Sequence, residues 1–114
     1  MNGLHLIGDL TGCRCDPQLL LDGESFRAKC IEMVAAAGLT TMDATFHTFD
    51  GGGFTGTVVL AESHLAIHTF PESGTATLNA YCCRARAPAP WRALCGEHLG
   101  ARAVTATEHR RGQP

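Results

Sequence analysis

The chain has 114 residues, 45% of them hydrophobic, with nine Lys and Arg against eleven Asp and Glu and a formal charge of −2. That is the length of one domain with enough apolar content for a core, and the charge balance gives no footprint for nucleic acid or an anionic membrane. No apolar run approaches the ~20 residues of a membrane span, and Met1 to His5 lack the basic and apolar regions of a signal peptide, so the expected compartment is the cytoplasm.

Residues 4–10 read as a first strand, and Gly12 to Gly23 as a connection in which Pro17 to Leu21 form a short helical turn. Asp22 to Ser25 carry helix-start signals. From there a helix is expected to Ala37, because Phe26, Cys30, Met33, Val34 and Ala37 recur at i, i+4, i+7, i+8 and i+11 along one stripe. Gly38 suits its end. Thr40 to Phe49 is rich in β-branched and aromatic residues and reads as a strand, Asp50 to Gly53 as a turn, and Phe54 to Leu60 as the returning strand.

A strand over 64–70 follows almost at once. Glu72-Ser73-Gly74 is a turn, and Thr75 to Cys83 alternates as a further strand. Pro90 suits the first turn of a helix carrying Trp91, Leu94, Cys95 and His98 on one face, ended by Gly100. Ala103 to Glu108 gives a last strand, with a frayed tail from Arg110 to Pro114. The order β, α, a run of β, α, β predicts an α+β two-layer sandwich, an antiparallel sheet with two helices on one face, as a single domain over residues 1–114.

Six cysteines, at 13, 15, 30, 82, 83 and 95, read as thiols of a reducing compartment in a chain without a signal peptide. Cys13-x-Cys15 and Cys82-Cys83 lack the two-residue gap of common zinc knuckles, so no metal is expected.

The chemistry concentrates in Leu60 to Glu72. Leu65 and Ile67 alternate with His64, Ala66 and His68, so period 2 puts the two histidines on one face and Ser63, Leu65 and Ile67 on the other. Taken singly, Ser63 or His68 is an ordinary structural residue of a strand. Together, Glu62-Ser63-His64-Leu65-x-Ile67-His68-Thr69-x-Pro71-Glu72 resembles the self-cleavage segment of the small prokaryotic S-adenosylmethionine decarboxylases, which are pyruvoyl enzymes made from one proenzyme. Thr45 to Phe49, Cys83 and Glu108 to Gly112 fall at similar spacings, so the resemblance covers nearly the whole chain. Phe70 departs from it, standing in place of the usual tryptophan, as do Gly51 and Gly52, where bulkier residues are common.

The resemblance implies self-cleavage between Glu62 and Ser63, giving a β chain of residues 1–62 and an α chain of 63–114 headed by a pyruvoyl group made from Ser63. It makes His68 the processing base and puts Thr55 in the place of a serine that assists processing. It makes Cys83 the acid that reprotonates Cα. It assigns Phe49 to the adenosylmethionine moiety, Glu72 to the ribose hydroxyls and Leu65 to the substrate site, and it implies a homodimer whose sheets associate. The function implied is decarboxylation of adenosylmethionine for polyamine (spermidine) synthesis.

Elementary chemistry agrees with that. Decarboxylation leaves a carbanion that no side chain can delocalise, so a Schiff-base-forming carbonyl is needed. The only lysine, Lys29, is mid-helix and no phosphate cradle accompanies it, which disfavours pyridoxal phosphate. Two other readings stay open from the sequence: a pyruvoyl-dependent arginine or ornithine decarboxylase, and an unprocessed, non-catalytic partner subunit.

Overall fold

Strand β1 (Asn2–Thr11) leads into a short helix, α1 (Gln18–Leu21), and the long helix α2 (Gly23–Ala36). Four strands then follow in succession: β2 (Thr41–Thr48), β3 (Phe54–Leu60), β4 (Ser63–Phe70) and, after a 3-10 turn over Pro71–Ser73, β5 (Thr75–Cys82). The last strand is β6 (Ala103–Gly112). The computed structural model describes residues 2–36, 38–61, 63–82 and 99–112. The helix expected from Pro90 and Ala37, the expected last residue of α2, lie outside them.

The strands form one antiparallel sheet in the order β2-β3-β4-β5-β1-β6. Strands β2 to β5 are a meander, so each pairs with its neighbour in sequence, while β1 closes against β5 and β6 pairs along the outside of β1. The tail expected to fray from Arg110 is strand to Gly112, because Arg110, Arg111 and Gly112 pair with Leu4, Gly3 and Asn2. A backbone ladder to β1 holds a segment whose side chains are polar and exposed.

One face of the sheet is covered. Leu6 and Leu10 of β1, Phe54, Val58 and Leu60 of β3, Leu65 and Ile67 of β4 and Ala76, Leu78 and Ala80 of β5 are buried with the α2 stripe of Phe26, Cys30, Met33 and Val34. Each fully buried aliphatic or aromatic side chain contributes about 1.5–3 kcal/mol. Phe26, Phe46 and Phe54 meet at centroid separations of 5.3–5.9 Å where α2 crosses β2 and β3. Gly56 on β3 leaves room for the Phe46 ring, which occupies the place a Cβ would take.

Asp22 starts α2 as the sequence signals: its Oδ2 accepts the Ser25 hydroxyl at 2.9 Å and its backbone carbonyl the Phe26 N–H at 3.2 Å. The opposite face of the sheet is mostly polar but carries Ile7, Val59 and Phe70, all well exposed.

Candidate active site

The β3–β4 hairpin builds most of the candidate site. Its ladder runs from Val59↔His64 to Thr55↔His68, and direct cross-strand neighbours share a face. Thr55 and His68 therefore meet on the open face, where the Thr55 hydroxyl and His68 Nδ1 are hydrogen-bonded at 3.0 Å. That contact holds the imidazole by one nitrogen, Nδ1, on an exposed side chain, and a hydrogen bond at one ring nitrogen sets the role of the other. The alternation expected of the segment is present: Leu65 and Ile67 are buried, His64 and His68 exposed and Ser63 partly buried.

Ser63 is the first residue of β4 and its register partner is Cys82. Glu62 and Cys83 lie outside the described residues. His68 is five residues farther along the same strand, about 16 Å at ~3.3 Å per residue, whereas a base must come within about 3 Å of the proton it takes. Within one chain Ser63 and His68 do not meet.

At the other end of the hairpin Phe49 is 48% exposed and packs edge-on against His47, with ring centroids 4.8 Å apart. Its backbone closes the turn, its N–H donating to Gly53 O and its carbonyl accepting from Gly52 N. Gly52 has φ +102, and a Cβ there would lie 2.5 Å from Leu21 Cδ2. Of the two glycines that depart from the resembled pattern, Gly52 therefore stands where the turn presses on α1, while a Cβ on Gly51 would meet nothing within 4 Å. Glu72 is exposed on the Pro71–Ser73 turn. Phe49, Glu72, Thr55 and His68 cluster toward this end of the sheet, and Ser63 stands at the far end of β4. Leu65 is fully buried among the core residues of the helix-covered face, opposite the one that carries His68.

Two features escaped the sequence reading. Thr69 is a polar residue at a core-facing position of β4, and its hydroxyl donates to Leu20 O at 2.8 Å and accepts the Phe54 N–H at 3.0 Å. Period 2 could have flagged it, because a hydroxyl on the buried face must find partners. The second is a row of rings on the open face, His64, Tyr81, His5 and His109, which the register sets side by side across four strands.

In that row His64 stacks on Tyr81 at 5.8 Å, His5 meets the Tyr81 edge at 6.2 Å, and Arg111 lies over the same ring. Burial first, then the nearby charges of Arg111, His64 and His109, push the His5 imidazole below its usual pKa. No local pattern announces such a row, since its members come from four separate segments.

Cys13, Cys15 and Cys30 are free thiols, and burial pushes Cys30 up to about 12. Among the described residues no group of three or more His, Cys, Asp or Glu is arranged to hold a metal ion, and no helix is long and apolar enough to cross a membrane.

Known proteins place this geometry. The family model for S-adenosylmethionine decarboxylase matches residues 4–112. S-adenosylmethionine decarboxylase proenzymes of Clostridium tetani and Caldicellulosiruptor saccharolyticus are 37% and 39% identical over 112 residues, 96% of this chain and 86% and 88% of theirs. The crystal structure of the adenosylmethionine decarboxylase from Aquifex aeolicus superposes with a TM-score of 0.81 at 33% identity, covering 98% of this chain and 92% of that one. The chain belongs to the S-adenosylmethionine decarboxylase family.

Proposed function

We propose that this protein is a self-cleaving, pyruvoyl-dependent decarboxylase of S-adenosylmethionine that supplies the aminopropyl donor for polyamine synthesis. The observation that carries the reading is the hydrogen-bonded Thr55–His68 pair on the hairpin that Ser63 heads, in a chain matched to the family from residue 4 to 112. The names of the relatives favour adenosylmethionine over arginine or ornithine.

The Ser63 hydroxyl attacks the Glu62 carbonyl, turning the amide into an ester. Elimination then breaks the ester C–O bond, leaving a carboxylate on residue 62 and a dehydroalanine at 63, which hydrolyses with loss of ammonia to a pyruvoyl group. The chain fits such a cut. Only Ala61 and Glu62 connect β3 to β4, and after cleavage β3 is still held by β2 and β4, and β4 by β3 and β5. The fragments, 1–62 and 63–114, stay one folded unit.

The pyruvoyl carbonyl supplies the electron sink that stabilises the Cα carbanion when carbon dioxide leaves. Cys83 returns the proton to Cα, Phe49 offers its exposed face to the adenine or sulfonium, and Glu72 accepts from the ribose hydroxyls. Leu65 backs Ser63 from the core side.

The working form is a homodimer. What supports this is the separation of Ser63 from His68 within one chain, together with an open face carrying Ile7 and Val59. A second copy brings its own Thr55–His68 pair and its Phe49 and Glu72 to the Ser63 end.

Intact-mass analysis of purified protein tests the reading, with two chains and a pyruvoyl-terminated α chain expected. Release of carbon dioxide from adenosylmethionine, arginine and ornithine then identifies the substrate. A chain that stays whole on long incubation removes the cofactor and the enzyme reading with it. Turnover of arginine or ornithine alone refutes the substrate.

A further inference from the structure

We infer that Thr69 is a positioning residue for substrate recognition. Through its hydroxyl it sets the Phe49 turn against the Phe70–Glu72 segment. The inference rests on the proposed roles of Phe49 and Glu72.

The β3–β4 ladder has its last pair at Thr55↔His68. One residue farther on, the strands part, and the N–H of the fully buried Phe54 needs an acceptor other than a ladder carbonyl. The Thr69 hydroxyl is that acceptor, at 3.0 Å.

The same hydroxyl donates to the carbonyl of Leu20, at 2.8 Å. Leu20 lies in the last turn of α1, where carbonyls lack partners within the helix. The next carbonyl, of Leu21, accepts the Gly53 N–H at 3.0 Å. One short helix thus presents two carbonyls to the hairpin, one held through Thr69 and the other by the turn that carries Phe49.

The turn is located from three sides. Gly52 presses on Leu21, and a Cβ on Gly53 would lie 3.1 Å from Pro71 Cδ, just before Glu72. The Phe49 N–H closes the turn on Gly53 O at 2.8 Å. Thr69 sits between His68 and Phe70, so its hydroxyl joins α1, the start of β3 and the approach to Glu72 at one atom. Thr69→Val keeps the side chain's shape and leaves both Phe54 N and Leu20 O buried without partners.

The test is steady-state kinetics on processed wild type, Thr69→Val and Thr69→Ser, with hydrogen exchange of residues 49–54. Self-cleavage should still reach completion in both variants, because the Thr69 hydroxyl lies on the buried face of β4 and makes no contact with the Thr55–His68 pair on the open face. Thr69→Val should raise KM for adenosylmethionine about 5- to 100-fold with kcat within about twofold, the range spanned by one lost buried hydrogen bond and a displacement of ~1 Å.

Exchange of the 49–54 amides should quicken in Thr69→Val while the β1–β5 amides keep theirs. Thr69→Ser, which retains the hydroxyl, should restore both readouts. If Thr69→Val does not accumulate, Thr69→Cys, a weak donor and acceptor, should fall between Ser and Val. A variant that melts at lower temperature but keeps wild-type KM and wild-type exchange at 49–54 overturns the inference. Wild-type protein inactive on adenosylmethionine refutes the proposed function instead, and the exchange measurement still decides the role of Thr69.

Discussion

Because Ser63 and His68 stand about 16 Å apart on one strand, cleavage should occur in trans, and two inactive proenzymes should rescue each other. Ser63→Ala lacks the nucleophile and His68→Ala the base, so each alone should remain uncleaved or nearly so. In the proposed homodimer, co-expression in equal amounts should give about one half mixed dimers and one quarter of each parent. In a mixed dimer one site pairs Ser63 of one chain with His68 of the other, and the second site lacks both. Roughly half of the His68→Ala chains should then be cut, and about a quarter of wild-type sites should carry a pyruvoyl group.

Intact mass distinguishes the two chains, and carbon dioxide release per mole of dimer reads the same fraction. Efficient cleavage of His68→Ala alone would take the base away from His68. If His68→Ala is inert alone and no cleavage appears in a verified mixed dimer, His68 acts on its own chain, and the strand geometry argued from β4 is wrong for the processing state.

Replacing Cys83 by alanine should leave chain cleavage largely intact and abolish most decarboxylation, as seen by gel and by carbon dioxide release. Full turnover would move the proton donor to Cys82 or elsewhere. Phe49→Ala should lower kcat/KM for adenosylmethionine roughly 5- to 150-fold through the loss of about 1–3 kcal/mol of stacking, with self-cleavage complete.

His5 makes a prediction about acid. Its folded pKa lies below the ordinary 6.5, so as pH falls past that value the unfolded chain takes up the proton first. Stability is therefore fully present above about 6.5 and is lost as pH drops toward the folded value. Tm should fall over that window, and His5→Asn should flatten the fall. Cys30, buried and raised to about 12, should resist alkylation in the native protein while Cys13 and Cys15, less buried, react first.

Local sequence settled a good deal of this molecule. The period-2 run from Ser63 to Phe70 has the faces that its spacing dictates, since alternation is a property of the strand alone. The same holds for the α2 stripe, whose expected members Phe26, Cys30, Met33 and Val34 are all buried. The order of elements was enough for an antiparallel α+β sheet, and the residues from Glu62 to Glu72 carried the resemblance to the family to which the chain belongs. Even the distance from Ser63 to His68 is implicit in five residues of strand.

Register is where local spacing stops. That Thr55 faces His68, that Cys82 rather than another residue lies opposite Ser63, and that Tyr81 gathers His64, His5 and Arg111 depend on how separate strands pair, which no single strand's alternation sets. The strand state of Arg110 to Gly112 has the same origin, because its hydrogen-bond partners are more than 100 residues away in β1. Thr69 shows the limit most plainly. Its sequence neighbours mark it as one more strand residue, and only the docking of α1 beneath the parting strands turns its hydroxyl into the joint between the helix and the candidate substrate site.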